Sequence, residues 1–521
     1  MHLKRPLTLS AVALVALAAC GDNLVIAPDA PVVARCAPPE RPLPTAGMLA
    51  DPLALTLSPD CVVGGLGDLP GRWFVADPTS TFSFSYPKLE GSCDTGFRRA
   101  FFIAEDDHDL EDDGFTYHTW SDGTRAYYRY NFRFQIPNAD PFEFAYAFAA
   151  CLLPDGTMSA VEARYDTDRG VRETPMTGKR FGRKDALATG LELVGELGRW
   201  GEGNTNRISA YNVAVDGTHA YVVGPEGFEV IDVSDPARPT HVGHVTGEYN
   251  DVKLVRGAGK VAAYLAPIPD EPTRIVDVTV PTTPTLSVTL PEYSHSVFLD
   301  SSGVTPALYL ATYTNVVPRY DVTNPLAPLR LGATTLPGEE AGVHDLFVAG
   351  DHIYANNTTA GLVVVDVAGG LAAPVERGRV AASYSHASWA GTAGGRAIVL
   401  HGDEGMTGTA AGGAHLRVLD GDLTSAGFLA DLGRYQSRPE VGIHNFQLVG
   451  DRVYIAYYQD GVRVVDLADP TRPTEVAHYN TWDPETGPGG AFEGALGITV
   501  VGDLIYVADS ERGLLILRAT P

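Results

Sequence analysis

An all-β fold is what this 521-residue sequence predicts, and three observations carry the prediction. Short runs of alternating apolar, aromatic and β-branched residues recur along the chain. Glycine (56) and proline (37) are frequent enough to punctuate many turns, and no long stretch has a helical period. From about residue 190 a unit of roughly 45 residues repeats, each holding about four short strands. A unit of that length and strand count is a propeller blade. The expected architecture is therefore a seven-bladed β-propeller preceded by a small disulfide-bearing antiparallel β domain.

The first element is an address. His2, Lys4 and Arg5 form a basic start, and LTLSAVALVALAA (7–19) is an apolar run of 13 residues. That run is too short to span a bilayer but suits the core of a signal peptide. It ends in Leu17-Ala18-Ala19-Cys20, which resembles a bacterial lipobox. The resemblance implies lipidation at Cys20, with residues 1–19 removed as a signal. The expected location is the bacterial cell envelope, lipid-anchored at the outer membrane. Loss of Lys4 and Arg5 would take the formal charge from −26 to −28. Such acidity excludes nucleic acid as a partner, because phosphate neutralisation needs clustered cations.

Residues 20–54 are proline-rich and read as a tether. Residues 55–185 alternate as an antiparallel sheet, sandwich or small barrel, through runs such as RAFFIAE (99–105), AYYRYNFRFQ (126–135) and FAYAFAACLL (144–153). After Cys20 four cysteines remain, Cys36, Cys61, Cys93 and Cys151, an even number suited to an oxidising compartment. Four thiols allow three pairings. Neighbour pairing, Cys36–Cys61 and Cys93–Cys151, is the expectation.

Residues 190–521 hold the array. Its clearest copies are GFEVIDVSDPARPTHVGHV (227–245) and GVRVVDLADPTRPTEVAHY (461–479). The Asp that closes the run recurs at 232, 277, 321, 366, 420 and 466, spaced by 45, 44, 45, 54 and 46 residues. An Asp followed by a proline-containing turn is what a strand-to-strand corner requires, so a structural role is expected for it. These units, through VIDVSDP, VVVD and VVDLADP, resemble the LVIVD-repeat family of bacterial cell-surface propellers. That resemblance implies architecture and surface location and lends no activity. The last copy, GLLILRATP (513–521), ends without an outer strand, and LELVGELGRW (191–200) resembles the missing segment. Residues 191–200 are therefore expected to close the ring.

The candidate site follows from four histidines at one repeat position, the start of the innermost strand: His295, His344, His386 and His444. Loops expected on the same rim carry Asn356, His401, Asp403, Glu404, Asp460, Asp509 and Glu511, with Asp345 next to His344. Imidazoles and carboxylates converging on one rim suit a divalent transition metal or an acid–base site. Hydrogen bonding between blades or a wet channel is the competing structural reading. His344 with Asp345 and His444 with Asn445 stand out as candidate ligands. The long loop 401–415, bracketed by His401 and His415, overhangs this rim. Cofactor identity stays open, a divalent transition metal being the candidate. The expected function is a ligand- or protein-binding propeller module for an envelope protein or polysaccharide. The alternative is a metal-dependent hydrolase or oxidase using the His/carboxylate cluster.

Overall fold

The computed structural model describes residues 55–65, 71–76, 81–86, 115–121, 123–134, 142–166 and 170–520, the last apart from 269–270, 304, 339–340, 405–414, 439–440 and 484–491. The leader, the tether, Cys20, Cys36, Cys93, the RAFFIAE run and the middle of the 401–415 loop lie outside the described residues.

The first domain is one antiparallel sheet of seven strands. Phe115–Ser121, Arg125–Phe134, Phe142–Leu152, Met158–Asp166 and Gly170–Phe181 form a meander. Gly71–Ala76 then pairs with Gly170–Phe181, and Thr81–Tyr86 takes the edge. Alternation places Ala145, Ala147 and Ala149 on one buried face, where Leu55, Leu57, Tyr127 and Val161 pack over them. Pro175 sits inside a long strand, yet Gly71–Ala76 pairs only with residues 177–181 of that strand. On its other side Pro175 stands opposite Val161 of Met158–Asp166. Cys61 bridges Cys151 with their Cα atoms 5.6 Å apart. This corrects the neighbour pairing: Cys61 reaches across to the end of Phe142–Leu152, where its segment is tied by Val62 N–H to the Leu152 carbonyl. Loop proximity along the sequence was a poor guide because the sheet brings distant strands together.

The second domain is a ring of seven antiparallel sheets, six of four strands and one, blade 6, of five. Blades 1 to 6 span residues 212–245, 249–293, 296–335, 345–380, 385–435 and 446–479. The first strand of each blade lies innermost, against the first strands of both neighbours. Blade 7 is built from both ends of the array. Ala495–Val501, Leu504–Asp509 and Gly513–Ala519 take their fourth strand from Leu191–Leu197, in a register that sets Leu514 opposite Leu197 and Arg518 opposite Glu192. The short strand Ala188–Thr189 also adds to blade 6, pairing Thr189 with His478. The entering chain thus latches two adjacent blades, which the repeat pattern did not foretell.

The repeat motif is explained residue by residue. Each run-closing Asp accepts a hydrogen bond from the amide two residues on, from Asp232 to Ser234 (2.8 Å) through Asp466 to Ala468 (2.8 Å). Asp277, Asp321, Asp366 and Asp420 do the same at 2.8–3.1 Å. These are Asx turns. Gly361 and Gly461, which open the third strands of blades 4 and 6, have φ of +82° and +67°. A Cβ there would stand 2.0 Å from the Val380 carbonyl oxygen or 2.2 Å from that of Tyr479, so only glycine fits.

Candidate functional site

The innermost strands line a channel cavity of about 380 Å³. At one end of it the four histidines of blades 3 to 6 stand side by side. Ring centroids are 4.1 Å apart from His295 to His344, 4.3 Å from His344 to His386 and 4.3 Å from His386 to His444. This proximity follows from the repeat: one position in adjacent blades projects to one level of the channel. Tyr313 packs on His295 at 4.4 Å, and Tyr458 lies edge-on to His444 at 5.2 Å. Neither tyrosine carries a signal in the sequence beyond its place in a second-to-third strand turn.

The two outer imidazoles are engaged by the protein. Asn250 Nδ2 donates to His295 Nε2 and to its carbonyl oxygen, both at 3.0 Å. His444 Nδ1 lies 2.8 Å from the Leu496 carbonyl oxygen, which makes this nitrogen the donor. His386 differs. It is 2 % exposed, and neither of its ring nitrogens has a hydrogen-bond partner among the described residues. Glu404, also 2 % exposed, approaches it with Nε2–Oε2 at 3.6 Å. Tyr458 donates its hydroxyl to the other oxygen, Glu404 Oε1. One donor atom each from His344, His386 and Glu404 lie within 4.8 Å of one another. Burial drives His295 down to about 3 and His444 to about 4, and holds His344 and His386 well below the usual imidazole range. Burial also raises the Glu404 carboxyl well above its ordinary range, against the opposing Tyr458 hydroxyl.

The other rim residues are mostly spoken for. Asp345 accepts from Ser296 Oγ and from the Leu346 amide, both at 2.7 Å; burial first, and Asp251 next, push it up to about 6. The carboxylate grouped with His344 is therefore Glu404 and not its chain neighbour. Asn356 donates to Ser388 Oγ at 3.0 Å, and His401 Nε2 meets Ser385 Oγ at 2.9 Å. Asp403 accepts the Ser383 and Tyr384 amides at 2.7 and 2.9 Å, Asp460 pairs with Arg438 at 2.6 Å, and Asp509 accepts the amides of Glu511 and Arg512. Loop carboxylates of this kind hold turns together.

Glu511 stands apart. Burial first, and Glu493 beside it next, push its carboxyl up from 4.5 to about 9, while Arg207 at 3.0 Å opposes the rise and Asp509 adds to it. A carboxyl with a raised folded value favours folding in its neutral form. Its contribution is complete below pH 4.5 and is lost as pH rises toward 9. Glu511→Gln should therefore flatten the fall of Tm across that window and raise Tm at pH 8 by about 2–5 °C. Calorimetry of both proteins at pH 5 and pH 8 checks this; equal slopes for the two would contradict it.

The LVIVD repeat family matches residues 209–247, 342–382, 444–481 and 494–517, which fall on blades 1, 4, 6 and 7. No curated protein sequence matches the chain. Among solved structures, the WD40 β-propeller domain of Doa1 is similar at 12 % identity and a TM-score of 0.46, over 64 % of this chain and 98 % of that one. The computationally designed Ika8 protein is similar at 12 % identity and TM-score 0.40, over 63 % and 99 %. BamB from Moraxella catarrhalis is similar at 10 % identity and TM-score 0.39, over 60 % and 84 %. The architecture of this chain is carried by its own strand pairing and not by these likenesses. Repeat match and strand pairing agree: the chain carries LVIVD repeats, laid out as a seven-bladed β-propeller.

Proposed function

We propose that this chain is a bacterial envelope lipoprotein, held to the outer membrane through Cys20, whose propeller binds a protein or polysaccharide ligand at the histidine end of its channel. The observation that carries the binding reading is the unmet hydrogen-bonding capacity of His386, buried in the channel lining, and of Glu404 Oε2 buried beside it. A buried polar group without a partner costs about 1–3 kcal/mol. A ligand that satisfies it recovers that cost, and a closed ring supplies the rigid frame such a site needs. The envelope address is supported by the basic start, the 13-residue apolar run and Cys20.

Two experiments test the reading. Cys20→Ser should abolish fatty-acid labelling and move the protein from the membrane to the soluble fraction; unchanged labelling would remove the anchor from the reading. A thermal-shift panel of cell-wall glycan fragments and envelope peptides should yield a ligand whose shift is lost in His386→Ala. Shifts of equal size in both proteins would place binding elsewhere. A second reading, a metal-dependent hydrolase or oxidase, is favoured by the grouping of His344, His386 and Glu404. It requires turnover that Glu404→Gln abolishes.

A further inference from the structure

We propose that the channel binds one divalent transition-metal ion through a ring nitrogen of His344, a ring nitrogen of His386 and Oε2 of Glu404. The inference rests on the reading of this channel end as a binding site and deepens it by naming an occupant.

Four features of the site point to this chemistry. The three donor atoms lie within 4.8 Å of one another. A metal at 2.0–2.1 Å from each donor in tetrahedral array sets the donors about 3.4 Å apart. His386 Nε2 and Glu404 Oε2, at 3.6 Å, already stand near that spacing. A modest side-chain rotation brings in the third donor.

The second feature is the vacant hydrogen-bonding capacity. Both nitrogens of His386 lack a hydrogen-bond partner among the described residues, as does Glu404 Oε2. Hydrogen bonding between blades, the structural role open to these histidines, is filled by His295 through Asn250 and by His444 through Leu496. His386 has only a long approach to the backbone of His444, outside normal hydrogen-bond geometry.

The third feature is orientation from outside the donor set. Tyr458 donates to Glu404 Oε1 and so leaves Oε2 toward His386. A hydrogen bond from a neighbour that fixes a ligating carboxylate is what metal sites use to set ligand direction. The fourth is donor type. Two nitrogens and one carboxylate oxygen suit zinc, ferrous iron, manganese or cobalt; calcium and magnesium prefer oxygen sets. Three protein donors leave at least one position open to the channel.

The test uses the full chain, stripped with a chelator and titrated with Co²⁺ by visible absorbance and with Zn²⁺ by competition. The expected result is one equivalent of Co²⁺ per chain. His386→Ala and Glu404→Gln should each weaken it by about 100-fold or more, and Tyr458→Phe by about 10-fold. His241→Ala, on the outer strand of blade 1, should bind as the wild type does. Because a channel variant can lose its fold, the wild-type protein supplies an independent readout: its Tm should rise with added Zn²⁺, and the rise should be absent in folded Glu404→Gln. No Zn²⁺-dependent rise in the wild type, or Co²⁺ binding of unchanged affinity in both folded channel variants, would overturn the metal. If the metal fails while a glycan or peptide shift still depends on His386, the binding reading survives without it.

Discussion

Deleting residues 188–197 lowers the unfolding temperature of the propeller by about 10–20 °C. The deletion strips Leu191–Leu197 from blade 7 and Ala188–Thr189 from blade 6, and so opens the ring at the one place where the two chain ends meet. It uncovers the strand Gly513–Ala519, whose residues Leu514, Leu515, Ile516 and Leu517 are fully buried. Exposing buried side chains of this size costs about 1.5–3 kcal/mol each, so exposing three of them costs about 5–9 kcal/mol. In a ring of this length 1 kcal/mol shifts Tm by about 2 °C, which sets the range. The freed edge also presents unpaired backbone groups, so the variant should associate at high concentration. Scanning calorimetry with light scattering measures both effects. A Tm within 2 °C of wild type would mean that blade 7 does not depend on its borrowed strand.

Arg463→Ala should cost about 3–4 kcal/mol, read as a Tm lower by about 6–8 °C. Arg463 has no exposed surface. Its Nε donates to the Asp460 carbonyl oxygen at 3.0 Å, Nη1 to Asp185 at 2.8 Å and Glu475 at 3.2 Å, and Nη2 to Asn480 Oδ1 at 2.8 Å. Asn480 in turn donates to the Ala186 carbonyl oxygen at 2.6 Å. Removing the guanidinium leaves Glu475 half-buried beside Asp185 without its cation and strips Asn480 of a donor. Both carboxylates keep some solvent contact, which holds the loss to the lower part of the range for buried pairs. The same groups tie Asp185 and Ala186 to blade 6, and Arg438, between blades 5 and 6, donates to the Gly182 carbonyl oxygen at 2.7 Å. Proteolysis within 182–190 should therefore speed up in Arg463→Ala. Arg463→Lys should recover less than half the loss, because an ammonium cannot reproduce the planar fork. An alanine variant that melts and resists protease like the wild type would show the network to be dispensable.

Much of the ring was legible because a propeller repeats a local code. The Asp at 232 and its five counterparts announce Asx turns, and the spacing counts the blades. The borrowed strand was legible for the same reason, since Leu191–Leu197 carries the pattern of the outer strands elsewhere. The four histidines were legible as one level of the ring, because adjacent blades set equivalent positions side by side. The partners that engage them were not. Asn250 on His295 and the Leu496 carbonyl on His444 come from neighbouring blades, 45 and 52 residues away in the chain.

The same reason separates the other outcomes. Cys61 finds Cys151 rather than Cys36 because sheet pairing overrides chain distance. Glu404 joins His344 and His386 while Asp345, next to His344 in the chain, turns to Ser296. The sequence by itself determined the all-β class, the blade count, the closing strand and the level at which imidazoles gather, since each is written in local periodicity. Tertiary structure alone decided which cysteines bond, which carboxylates hold turns and which one faces the histidines. Those choices depend on contacts between blades, and periodicity within a blade carries no information about them.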